Sequence, residues 1–229
     1  MFLGLANVLT SIRRNFIPWI KDGLKLHYFF RQNSDLTISH ASTGSTSFDG
    51  TDDYIDTGTS TSSAFSGAFT LSAWIRMDDA TNGEGAIFSI AGASNGVGME
   101  KDSSEQMNIW VGDGTDWVNA GTSSAMVTGR WYHFVGTHDG VNTISFYTDG
   151  VLVDTSTQSP AGSFSANGII GRHSTLTSSG RWWDGSICNV GIWSRALSAS
   201  EVQGIMYKQY SDLGSVDKAS LVSWWGLDV

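Results

Sequence analysis

Polar and apolar residues alternate most cleanly over residues 68–79, AFTLSAWIRMDD. Phe69, Leu71, Ala73, Ile75 and Met77 share one face, and Thr70, Ser72, Trp74 and Arg76 share the other. Period-two alternation sustained over this length predicts a β-strand with one face in a core. The same alternation runs through residues 131–155, WYHFVGTHDGVNTISFYTDGVLVDT, interrupted at Asp139-Gly140 and Asp149-Gly150. Asp-Gly suits a type I′ turn, which needs positive φ at both central residues. The spacing predicts three antiparallel strands, over about 131–137, 142–148 and 151–154. GAIFSIAG, GVGMEK and QMNIWVGDGTDWVNAG add three or four more, with a turn at Asp113-Gly114. STSFDGTDDYIDTG reads as strand, tight turn at Asp49-Gly50, strand. LKLHYFF at 24–30, NGIIGRH and GSICNVGIWSRAL supply the rest.

Two segments break this period. In SASEVQGIMYKQY, Ser198 followed by Glu201 forms a capping box, and Val202, Ile205 and Met206 line one apolar face. One short helix is predicted near 198–209. At the N-terminus, Phe2, Leu5, Leu9, Ile12 and Phe16 recur at steps of three and four, the spacing of an amphipathic helix. Arg13 and Arg14 follow the apolar stretch instead of preceding it, which suits a signal peptide poorly, and the stretch is too short to span a membrane. Residues 1–21 are therefore read as an arm that docks on a partner or neighbouring subunit; the alternative is a helix closing one end of the domain. The domain itself is placed at 22–229. SLVSWWGLDV returns to strand character, as a closing strand at 219–227 or as the start of a further module.

Composition narrows the class. Gly is abundant at 27, Pro scarce at 2 and charged residues are 15% of the chain, the profile of many short strands joined by tight turns. The fold class is all-β, a sandwich of two antiparallel sheets. A net charge of −9 argues against a nucleic-acid partner, because that affinity rests on clustered Lys and Arg. The acids are 18 Asp against 4 Glu, and Asp serves turns and loop-borne cation sites. A single cysteine, Cys188, excludes an internal disulfide and sits in an apolar run. Ten tryptophans serve either core packing or exposed faces that stack on sugar rings.

The order of the motifs at 47–58, 69–76, 129–153, 169–172 and 182–202 resembles the laminin-G-like branch of the concanavalin A-like lectin/glucanase superfamily. The resemblance covers about residues 24–210 and implies a jelly-roll sandwich. It departs at one point: members often carry Gly-x-Ile-Asp, and here Gly185 is followed by Cys188 where that Asp would stand.

The chemistry points to binding. A retaining glycosidase needs two carboxyl groups about 5 Å apart; the Glu-x-Asp-x-Glu motif of glucanase members is absent and the four Glu are scattered. The five His lack zinc spacing and a nucleophile partner. Glycan contacts are expected at Trp110, Asp113 and Trp117 around one turn, and at Arg181, Trp183 and Asp184 after a polar loop. Adjacent Trp182 and Trp183 must point to opposite faces if they lie on a strand, so one is core and one exposed. A Ca2+ ion is expected at Asp49, Asp52 and Asp53, or at Asp113 and Asp116, and members of the resembled family often hold one at the sandwich rim; the competing reading gives these Asp to turns.

The functional expectation is a non-catalytic display and binding protein, a phage virion component that exposes a lectin-like jelly roll at the particle surface. Other assembly proteins are its partners through the arm, cell-surface glycans its ligands, and the component is a homo-oligomer. The alternatives are a carbohydrate-binding or adhesion module of a secreted protein, found outside the cell, and a glycoside hydrolase.

Overall fold

The structure, a computed structural model, describes residues 44–57, 61–81, 83–92, 94–175 and 181–228. The docking arm and the strand expected at 24–30 lie outside these residues. In chain order the strands are β1 (Thr46–Asp49), β2 (Ile55–Asp56), β3 (Phe69–Met77), β4 (Gly85–Ala91), β5 (Asn95–Lys101), β6 (Met107–Asp113) and β7 (Trp117–Gly121). They continue as β8 (Trp131–His138), β9 (Thr143–Thr148), β10 (Val151–Thr157), β11 (Ile169–Ile170), β12 (Asp184–Trp193) and β13 (Leu221–Trp225), with helix α1 (Ala199–Ile205) between the last two. One antiparallel sheet has the order β1-β12-β3-β8-β9-β10, and β13 also pairs with β12. The second has the order β2-β11-β4-β5-β6-β7. The result is a jelly-roll sandwich.

The expected alternation of β3 is what builds the core. Phe69, Leu71, Ala73, Ile75 and Met77 meet Phe88, Ile90, Val97, Met99, Ile109 and Val111 of the second sheet in one buried cluster. Thr70, Ser72 and Trp74 face the other way, yet they too are buried. The chain after β12 crosses that outer face and forms a third layer. Val202, Ile205 and Leu213 pack there on Val135, Tyr147 and Trp193, and Met206 covers Trp74 and Cys188. A carboxylate at the position of Cys188 would be buried under this layer, where the small apolar thiol fits. The helix begins as predicted, with Ser198 and Glu201 completing the capping box, but it spans only Ala199–Ile205.

Turn chemistry divides. Asp149 and Gly150 both have positive φ, at 51° and 78°, as a type I′ turn requires. At the other hairpin only Gly140 does. There Asp139 Oδ1 accepts from the backbone N–H groups of Val141, Asn142 and Thr143 within 2.9 Å, so a longer side-chain-braced loop replaces the expected tight turn. The Asp49-Gly50 turn is also corrected. Its flanking strands do not pair with each other: β1 joins β12 in one sheet and β2 joins β11 in the other. The edge strand β10 exposes Val151, Leu152 and Val153, and a bulge between Leu152 and Asp154 disrupts the regular edge that would invite further pairing. Among the described residues, no helix is long and apolar enough to cross a membrane.

Candidate functional site

The outer face of the second sheet collects the polar and aromatic residues of β4 to β7. Register fixes one row as Ser89, Gly98, Trp110 and Asn119, and the next as Glu100, Asn108 and Gly121. Trp117 stands opposite Gly112 on the neighbouring strand. A Cβ on Gly112 would lie 2.5 Å from the Trp117 ring, so the missing side chain lets the indole lie flat on the sheet. Trp110, Trp117 and Asn119 are all half-buried, each with part of its surface open. Asn119 donates to Asn108 Oδ1 at 2.7 Å, and Asn108 donates to Asp102 and to the Gln106 carbonyl. A cleft of about 300 Å³ opens beside Asn108 and Asn119, reaching Asp154.

The other half of this face is covered. The chain turns at Gly171, and a backbone bridge joins Arg172 to Trp182, so the two arms of a hairpin run side by side. Its Arg181 donates to Glu100 Oε2 at 2.8 Å and lies 2.7 Å from a Glu84 oxygen. His173 approaches Glu100 at 3.4 Å. Glu100 is 6% exposed. Burial pushes its carboxyl up to about 7, with Arg181 opposing only part of the rise. Burial, followed by the charges of Arg181 and Arg172, pulls His173 down to about 4. Sequence reading missed this cluster because Glu84 and Glu100 are far apart in the chain. The legible signal was the β4–β5 hairpin, whose register pairs Gly85 with Lys101.

Arg181, Trp183 and Asp184, expected to form one glycan patch, go to three places, and Trp182 goes to a fourth. Arg181 joins Glu84 and Glu100. Trp182 sits by Arg172, whose guanidinium is also 4.1 Å from the Tyr54 ring centroid. Trp183 is 1% exposed and belongs to the core between the sheets, so it has no face to offer a sugar, which corrects the expectation. Asp184 pairs in register with Asp49 at the sandwich rim. Its carboxyl is raised by burial, then by Asp79, Asp78 and Asp49. Asp113 is a turn residue: its Oδ1 accepts from Thr115 and Asp116 N–H at 2.8 and 3.0 Å, and these bonds lower its pKa.

At the rim, Asp49, Asp52 and Asp53 bring one carboxylate oxygen each within 4.8 Å of the others. Asp49 Oδ1 accepts from Thr51, and Asp53 Oδ2 from Asp49 N–H. Each carboxylate keeps a second oxygen, and three hard anionic donors in a loop match the preference of Ca2+. A Ser–His contact also exists, Ser72 Oγ to His133 Nε2 at 2.9 Å. Both residues are buried under the third layer, and burial lowers His133 to about 3. Among the described residues His133 Nδ1 has no partner, so no described acid orients the ring as a triad would require.

Comparison with known proteins gives three results. The family model described as the concanavalin A-like lectin/glucanases superfamily matches residues 49–203. No curated protein matches the sequence significantly. Among solved structures, a Bacteroides ovatus protein proposed to bind carbohydrate aligns over 82% of this chain at 19% identity, TM-score 0.61. The aligned part spans 52% of that protein, about half its length. The native heptameric SAP-like pentraxin of Limulus polyphemus aligns over 80% of this chain and 91% of its own at 18% identity, TM-score 0.56. The CBM40 of the Ruminococcus gnavus IT-sialidase, bound to α2,3 sialyllactose, aligns over 72% of this chain and 99% of its own at 12% identity, TM-score 0.60. At these identities the likeness is one of fold.

Proposed function

Because the chain belongs to the concanavalin A-like lectin/glucanases superfamily, we propose that it is a non-catalytic glycan-binding protein whose ligand lies along Trp110, Asn119 and Trp117. The observation that carries this is the open half of the outer face. Two indoles and an amide are held in fixed register on rigid strands, beside a polar cleft. Aromatic faces take the C–H side of a sugar ring, while amide groups orient its hydroxyls. Solved relatives that carry sugar on the same fold support the reading. Binding is favoured over hydrolysis because Glu100, whose carboxyl is raised to about 7, lies under the hairpin with Arg181 against it. A general acid has to reach the glycosidic oxygen, and this one is buried.

A glycan array tests the reading directly. Wild-type protein retains a defined set of glycans, and Trp110→Ala lowers their affinity by about tenfold or more; undiminished binding in that variant overturns the assignment. We propose Ca2+ at Asp49, Asp52 and Asp53 as a rim staple, so chelation lowers the melting temperature of the wild-type protein measured alongside, and Asp52→Asn removes that sensitivity.

We propose further that residues 1–21 tether this module to a larger assembly, a virion surface in the first instance. The amphipathic spacing of Phe2, Leu5, Leu9, Ile12 and Phe16 favours it. Deleting residues 1–20 is expected to abolish incorporation into particles while the sandwich unfolds at an unchanged midpoint. Normal incorporation of the truncated chain would sink the proposal.

A further inference from the structure

The third layer leaves a second cleft, of about 360 Å³, on the outer side of the first sheet, lined in part by Asn189, Gln209, Tyr210, Trp224 and Asp228. Asn189 occupies the bulge of β12 between Cys188 and Gly191, in the left-handed region at φ 50°. It is 2% exposed, and its backbone N–H donates to the Gly226 carbonyl at 3.0 Å. Among the described residues its side-chain Nδ2 has no hydrogen-bond partner, and neither has the buried Nε1 of Trp224. Leu227, next to the same cleft, is also left-handed at φ 56°. Two orphaned buried donors cost about 1–3 kcal/mol each, and native structures keep few of them. Strained backbone beside such groups marks places where function has been retained against stability.

The wall is built, not incidental. The Trp224 ring lies over Gly191, where a Cβ would come within 2.9 Å of it. Trp193 holds it edge-on, with ring centroids 6.0 Å apart, and Tyr210 flanks it at 6.5 Å. Lys218 sits 4.2 Å from the Tyr210 ring, and Lys208 is tied to Asp217.

We propose that this cleft is a second saccharide site that takes one neutral pyranose residue, independent of the face on the other sheet. Among the described residues, Asn189 Nδ2 and Trp224 Nε1 are donors left without an acceptor at this cleft, and Gln209 and Asp228 add side-chain oxygens to its lining. Sugar hydroxyls both donate and accept. An apolar ligand would leave both N–H groups unpaired, and an anion would meet Asp228 on a chain of net charge −9. The volume lies at the small end of ligand pockets, which suits a single ring. With sites on opposite sides of the sandwich, one molecule engages two glycan ends, and avidity follows without further contacts.

The test uses the full chain and the methyl glycosides of glucose, galactose, mannose and N-acetylglucosamine. Indole N–H resonances are followed by NMR and affinities by calorimetry. The expected result is a saturable shift of the Trp224 Nε1–H signal with at least one glycoside. Trp224→Phe keeps the aromatic wall and removes the donor; Asn189→Gly removes the amide and keeps the left-handed backbone. Each weakens that glycoside about fivefold or more, while Trp110→Ala leaves it unchanged. No shift with any of the four probes overturns the proposal, as does undiminished affinity in both variants. Should Asn189→Gly fail to fold, the wild-type titration and Trp224→Phe decide. Loss of binding in Trp110→Ala with Trp224→Phe unaffected sinks this site and leaves the other standing.

Discussion

Replacing Trp183 with alanine lowers the stability of the sandwich by about 3–5 kcal/mol, while the same change at Trp182 costs under about 1 kcal/mol. The two residues are neighbours in the chain and opposites in role. Trp183 is buried between the sheets, with its ring against Gly85, where a Cβ would come within 3.4 Å. Its backbone N–H donates to the Gly171 carbonyl at 2.8 Å and its backbone carbonyl accepts from Gly50 at 3.0 Å, so the chain on both sides of the ring is held in place when the side chain is removed. Truncation therefore opens a cavity where the hairpin, the β1–β2 crossing and β4 meet. Trp182 contributes a ring near Arg172 and Tyr54, which solvent screens. Urea unfolding of both variants measures the difference. Equal midpoints would show that Trp183 is not the anchor.

Glutamine at position 100 removes a pH dependence from stability. The Glu100 carboxyl titrates near 7 in the fold, against 4.5 when unperturbed. A raised folded-state pKa means that the folded chain holds its proton more tightly than the unfolded one. The contribution is fully present below about pH 4.5 and is lost as pH rises through 7. At about 1.4 kcal/mol per pH unit between the two values, ionisation costs roughly 3 kcal/mol. His173 and His133 act in the opposite sense, because their folded values lie below 6.5 and acid destabilises them. The difference between Glu100→Gln and wild type isolates the carboxyl. It moves in favour of glutamine by roughly 3 kcal/mol from pH 4.5 to 8; a constant difference across that range would refute the burial argument.

Strand identity was legible because period-two alternation is a local property. The predicted faces of β3 are the observed ones, the three strands of the meander fall where two Asp-Gly pairs place them, and Ser198 and Glu201 start the helix. That Trp110 and Trp117 stand on neighbouring strands was also legible, because they flank one turn. What failed were patches inferred from proximity in sequence. The expected patch of Arg181, Trp183 and Asp184 is split by the crossing between sheets, while the burial of one of Trp182 and Trp183 follows from alternation, as expected.

By itself, then, the order of residues determined the class of fold, the positions of the strands, the helix cap and the absence of a disulfide framework. The strands and the helix cap depend on neighbours within a few positions, and the absence of a disulfide on the single cysteine. Only the tertiary structure decided that Glu84 and Glu100 share one arginine, that the polar-looking face of β3 is covered, and that Asn189 and Trp224 keep unpaired donors at one cleft. Those facts depend on register across strands and on which segment crosses which sheet. A one-residue slip in pairing would reverse every face involved.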